Sequence, residues 1–425
     1  MLTRREFMIG AAGAAAGTAM VHAVPTLWTS TPRFDLTLYT TGRMGNLYQG
    51  AFDIYGTTQS VVTALDMATG KARHVLINVF EAHYVVAMNA DRLLVIPQNS
   101  DKGVILDRDL RLVRDVMAPD GFGFSGHALA LPEHGVVAIS YYKNNTDNKV
   151  GTDLEGRIEL RELQDYSLVD QFGSGGVRPH DMCMFADGKR IALAHAGELG
   201  YVRHLARKQD DSPLADSYLP KLSIVDIEKR EAVATMKLDG RAPMIHLAVD
   251  AQNNVYGVLQ KYIDTSPGRR RDDIMNEIGA AFGTVSPPAL NAMEVQRGGE
   301  GIALPLPMMR FDTHAGSISE IFTDAAKQRR SQSVICQQAT GSIIATYVFT
   351  EHLLRVRADG TVDNIATEPL GIQNPIGLCD IPGTPYFALA GMFNDIVVID
   401  ARDMNPVQRF RAPLYRSSHL TPVAM

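Results

Sequence analysis

The feature that most constrains this chain is a short unit that recurs along it. A polar or Gly-rich approach meets a histidine, a short apolar run follows, and a turn leads into a second apolar run. The clearest copy is Gly173–Glu198, GSGGVRPHDMCMFADGKRIALAHAGE. Asp187-Gly188 separates Met182–Phe185 from Ile191–Ala194. Asp-Gly readily supplies the positive φ that both central residues of a type I′ hairpin need, so that turn is expected here. His180 follows Arg178-Pro179, and proline, lacking an N–H, suits the first position of a strand. His180 is therefore expected where a connection becomes a strand.

The same unit opens Tyr84–Met88 behind Glu81-Ala82-His83, and Ala128–Leu131 behind Ser125-Gly126-His127. It opens Leu247–Val249 behind Met244-Ile245-His246, and Leu420–Val423 behind Ser418-His419. Gln332-Ser333 and Asn374-Pro375 open two further units without a histidine. Asp66-Met67-Ala68-Thr69-Gly70-Lys71 reads as the turn of an outer hairpin. Short strands repeating at roughly 40 to 90 residues are the pattern of a β-propeller. The final unit is one strand long, and Phe34–Leu65 contains strands with no opening of this kind. Ring closure reconciles the two: the expected fold is all-β, a seven-bladed propeller of the WD40/YVTN-like, quinoprotein-dehydrogenase-like type. In it residues 418–423 complete the first blade and remove an exposed edge.

Composition agrees. Glycine at 36 and proline at 21, with 7% aromatics, favour many turns over long helices. Thr3-Arg4-Arg5-Glu6-Phe7-Met8, a mildly apolar Gly/Ala-rich run and Val21-His22-Ala23 form the pattern of a twin-arginine signal peptide. Residues 1–23 are expected to direct export to the periplasm, or to tether the chain if uncleaved. Residues 24–425 are expected to form one propeller domain, with insertions at 200–221 and 266–301 and no transmembrane segment. The second insertion carries Arg269-Arg270-Arg271 and a helical pattern at Asp272–Phe282. A formal charge of −6 argues against nucleic acid as a partner. Cys183, Cys336 and Cys379 have no metal-site spacing, and buried thiols are the expectation, with a Cys336–Cys379 bridge the alternative.

His83, His127, His180, His246 and His419 share one slot, which in a propeller surrounds a mouth of the central channel. Imidazoles there suit a transition metal or haem, with iron, haem or copper as candidate cofactors and His127, His180 and His246 as the first metal candidates. The competing reading has them bonding neighbouring blades. Arg178 and Arg241 are rim candidates for an anion, with Glu81, Asp181 and Glu198 as charge partners. Met182, Met184, Met244, Met308 and Met309 read as core. Gly121–Gly126 matches G-x-G-x-x-G but precedes a strand, which rules out a dinucleotide loop. No catalytic motif is present in the sequence.

Gly176–Asp181, Asp187-Gly188-Lys189, Ala194–Gly197, Pro220–Asp226, Ile245–Asp250 and Gly257–Tyr262 together resemble the central motif of a family of exported propellers of unknown function. Its members are often encoded beside imelysin-type iron-uptake proteins. The resemblance covers about two thirds of the chain after the signal and is best over 123–262. The 266–301 insertion and the polar loop after Tyr142 depart from it. It implies a seven-bladed periplasmic propeller with a link to iron, and no activity. Three functions stay open: a binding or scaffold propeller handling a metal, a platform for a periplasmic protein partner, or a propeller oxidoreductase or metal-dependent hydrolase.

Overall fold

The computed structural model describes residues 32–44, 59–144, 154–197, 219–238, 240, 242–264, 301–415 and 419–424. The signal segment 1–23, the strand expected at Ala51–Tyr55, residues 200–218 and 266–300 of the insertions, and Arg241 lie outside them. Among the described residues the fold is all-β, and the 3-10 turn Pro132–His134 is the single helical segment. Among the described residues no helix is long and apolar enough to cross a membrane.

The strands form consecutive antiparallel quartets. One comprises Pro179–Met184, Arg190–His195, Lys221–Asp226 and Glu231–Lys237; another Ser331–Gln337, Ser342–Tyr347, His352–Val356 and Val362–Ala366. Further quartets begin at Ala82–Ala87, Phe122–Leu131, Met244–Val249 and Pro375–Asp380. The remaining quartet is composite. The C-terminal strand Leu420–Ala424 pairs with Leu36–Met44, which pairs with Ser60–Asp66 and then Ala72–Ile77. The two ends of the chain thus share one sheet, as ring closure requires, and the fold is propeller-like.

Burial follows from the strand period. Middle strands such as Ser342–Tyr347 are buried along their length, while outer strands such as Glu231–Lys237 and Leu112–Met117 are largely exposed. Each hydrophobic cluster lies between two successive quartets. Phe185, Leu222 and Ile224 meet Leu247, Val255 and Phe311, and Ile396 and Val398 meet Leu38, Leu65 and Leu420. Each such side chain contributes about 1.5–3 kcal/mol on burial, so the sheets are held face to face.

The Asp187-Gly188 turn differs from the expected type I′. Gly188 has φ +67, whereas Asp187 is not among the residues with positive φ. Phe185 N–H donates to the carbonyl of Arg190, and Asp187 Oδ1 accepts N–H groups of Lys189 and Arg190. The side chain caps a longer loop, so only the glycine needs the left-handed region. The Asp66–Gly70 turn follows the same logic: Asp66 Oδ1 accepts from Ala68 and Thr69, and Gly70 has φ +71.

Outside the composite quartet, the first strand of each quartet carries the feature that builds the site. Pairing slips at Ala82/Tyr84, Phe124/Ala128, Pro179/Met182, Met244/His246, Ser331/Val334 and Pro375/Gly377. A bulge lets a strand re-aim the side chain beside it. Glu81, Arg178, Arg330 and Asn374, each two residues before the slot, have φ between 50 and 52. The slots they open hold His83, His180, Gln332 and Ile376.

Candidate functional site

All five slot histidines meet. Every pair drawn from His83, His127, His246 and His419 has ring centroids no more than 6.3 Å apart, and His180 lies 4.8–5.4 Å from His83, His127 and His246. Strands distant in sequence deliver them, which explains why no local motif marks the group. One ring nitrogen from each of His83, His127, His246 and His419 can be chosen so that all four lie within 4.8 Å of one another. His127 Nε2 is 3.2 Å from His246 Nε2, and His83 Nε2 is 3.0 Å from His419 Nε2.

Second contacts fix the tautomers. His246 Nδ1 faces the carbonyl of Gln332, which can only accept, so Nδ1 carries the proton and donates. His127 Nδ1 lies 3.1 Å from Asp181 Oδ1. Asp181 is an acceptor on both oxygens: Met182 N–H donates to Oδ1 and Leu247 N–H to Oδ2. With Asp181 ionised, His127 therefore also carries its proton on Nδ1 and donates it to the carboxylate. Both Nε2 atoms are left with lone pairs that face each other across 3.2 Å. Two buried lone pairs at that distance repel unless a cation stands between them.

The rings are buried and neutral. Burial, reinforced by the neighbouring imidazoles, holds His127, His246 and His419 well below the usual histidine range. They are neutral at pH 7, the form that binds metals. With metal–nitrogen bonds of about 2.1 Å, nitrogens 3.0–3.2 Å apart subtend roughly 90–100° at an ion. The same bonds cap any ligand pair at about 4.2 Å, so closing the group from 4.8 Å needs adjustments on the order of 1 Å. Burial raises the Asp181 carboxyl to about 7, and a cation beside His127 would favour its charged form.

His180 stands beside this group and points its Nδ1–H at the carbonyl of Ser125. Gly126 makes room for it. A Cβ there would lie 2.8 Å from His180 Cε1 and 2.9 Å from His83 Cδ2, and the backbone sits at φ +109. Ser140 Oγ donates to the carbonyls of His127 and His180, tying their two strands together.

The histidines border two cavities. The first, about 140 Å³, is polar: Glu81, Gln98, Gln260 and Gln332 line it with His83, His180 and His246. The second, about 390 Å³, runs farther along the first strands past His127, His246 and His419. Tyr84, whose ring centroid is 4.9 Å from that of His127, walls it. Cys183, Cys336 and Cys379 also line it as free thiols, each pushed up by burial, Cys336 to about 11.

Of the rim candidates, Arg178 donates from Nη2 to Asn99 Oδ1 at 2.8 Å and lies over the Tyr142 ring, reaching two earlier quartets. Met244, Met308 and Met309 are buried in the core. Sequence reasoning placed Asp181 on the rim, read Gln332 only as a strand opener and did not single out Tyr84. Adjacency of Asp181 to His180 was the available signal, but the carboxylate serves His127 from another strand.

Residues 103–270 match the model of a family described as a protein of unknown function (DUF1513). The match takes in His127, His180, Asp181 and His246, whereas His83 and His419 fall outside it. No curated protein matches the chain.

Proposed function

We propose that this chain is an exported, seven-bladed β-propeller of the periplasm that holds one divalent first-row transition-metal ion on its axis. The ligands are His83, His127, His246 and His419. The observation that carries this reading is the pair of lone pairs on His127 Nε2 and His246 Nε2, fixed 3.2 Å apart by Asp181 and the Gln332 carbonyl. A metal-ligating histidine ordinarily donates its other N–H to a carboxylate or a carbonyl, and both arrangements occur here. Four imidazoles suit copper, iron, nickel or zinc and offer little to magnesium or calcium. Donor atoms within 4.8 Å of one another leave no space for a macrocycle between them, which favours a bare ion over haem.

Two features support the blade count and export. The quartets and the clusters between them run in series back to the composite sheet. The twin-arginine pattern of residues 3–8 belongs to a route that carries folded proteins, which suits an ion enclosed before export. Elemental analysis of protein purified from the periplasm tests the function. A single ion per chain, lost in His127→Ala and in His246→Ala, is the expected result. Protein that carries no ion and takes up none on titration with Cu(II), Fe(II), Ni(II) or Zn(II) would falsify it.

A further inference from the structure

His180 is the one slot histidine outside the converging group, and its surroundings give it a separate task. Its Nδ1–H is committed to the Ser125 carbonyl, so Nε2 carries a lone pair. Among the described residues Nε2 has no hydrogen-bond partner. The ring lines the first cavity beside the ligands His83 and His246, with Gln98, Gln260 and Gln332 around the same space. Gln260 Nε2 donates toward Gln332 Oε1 at 3.3 Å, so hydrogen-bonding amides line part of the same space. At about 140 Å³ the cavity holds a few waters or a molecule of comparable size.

Resting on the four-histidine metal reading, we infer that the first cavity is a binding site for a small, neutral, protic oxygen ligand of the ion, water or a peroxide. His180 Nε2 is the hydrogen-bond acceptor that orients it. The ring is a positioning residue: it takes no bond from the metal and needs no change of its own charge. Placement of a glycine at residue 126, at φ +109, keeps open the volume in which His180 and His83 sit side by side. An ion held by four protein nitrogens and faced by an acceptor has an addressable fifth position, unlike a closed structural site.

Azide on Cu(II)-loaded protein tests this through the azide-to-copper charge-transfer band. Azide displaces the bound water, has no proton to give His180, and sets its own lone pairs against Nε2. Removing the acceptor in His180→Phe should leave copper stoichiometry unchanged and tighten azide binding about 3- to 10-fold, the worth of one hydrogen bond. His180→Gln should move the same way, because its amide can turn an N–H toward azide, and it decides the matter if the Phe variant does not fold. Azide affinity unmoved in both variants overturns the acceptor role while leaving the metal site standing. Loss of copper from both variants also overturns it, by making His180 a ligand. Wild-type protein that takes up no Cu(II) overturns the metal reading and this inference together.

Discussion

Asp181 Oδ1 lies 3.1 Å from His127 Nδ1, while Oδ2 of the same carboxylate accepts the backbone N–H of Leu247 on the next quartet's first strand. One side chain thus sets the tautomer of His127 and ties two first strands together. Asp181→Asn keeps the shape but not the pattern of acceptors. If the amide oxygen stays with Leu247, the NH₂ group faces His127 Nδ1 and forces the imidazole proton onto Nε2, toward His246. Metal affinity is expected to fall about 10- to 100-fold. Competition against a chelator of known affinity, on protein whose melting curve remains cooperative, measures it.

Acid should loosen the fold before it reaches the carboxylates of the surface. The folded-state values of His127, His246 and His419 lie well below 6.5, that of His180 near 4 and that of His195 near 3, each chiefly through burial. Below pH 6.5 the unfolded chain binds protons that the folded chain refuses, so stability rises with pH across the window from about 4 to 6.5. Each uncoupled histidine contributes a slope of about 1.4 kcal/mol per pH unit. Asp181 works in the opposite direction, since its folded value is raised to about 7, but it is a single group. Urea melts at pH 5 and pH 7 should show a lower midpoint at pH 5. Equal midpoints would mean the rings are already protonated when folded.

Gly126→Ala should damage site and stability together. The added methyl meets His180 Cε1 at 2.8 Å and His83 Cδ2 at 2.9 Å, closer than real Cβ contacts, and φ +109 is foreign to alanine. Strain of this kind costs roughly 1–3 kcal/mol. Denaturant midpoint and copper stoichiometry should both drop. Gly121→Ala is the control, because φ there is also positive but no atom lies within 4 Å of its Cβ.

The repeating slot was legible in the sequence because a strand-opening turn is local chemistry. Arg178-Pro179-His180 and Glu81-Ala82-His83 declare their backbone in three residues. The meeting of their side chains depends on sheets that pair residues hundreds of positions apart, as Thr40 and Leu420 are, and on bulges that no residue type announces. Choosing His127, His180 and His246 as first metal candidates followed the best-patterned copies. His83 and His419 bring their donor atoms to the same point from poorer copies, whereas His180 turns Nδ1 to Ser125. The Asp187-Gly188 pair located a turn correctly but not its type, because the Asp187 carboxylate caps a longer loop instead of the residue adopting the positive φ of a type I′ turn.

The C-terminal strand separates fold from site within two adjacent residues. Leu420 is 3% exposed, packs in the cluster with Leu38, Leu65 and Ile396, and pairs with Thr40 of the N-terminal strand. His419, one residue earlier, is buried against His83 and supplies a nitrogen to the converging group. Leu420→Ala should cost about 2–5 kcal/mol through the cavity it leaves. Because Thr421 Oγ1 still donates to the carbonyl of Val85, the strand should stay in register and the ion should be retained. His419→Ala should do the converse, shedding the ion while losing less stability, since it removes one of several mutually repelling buried imidazoles. Paired melting curves and metal stoichiometries for the two variants read both effects. Loss of the ion from Leu420→Ala at temperatures where it remains folded would show that the site depends on the closing strand as a whole rather than on its histidine.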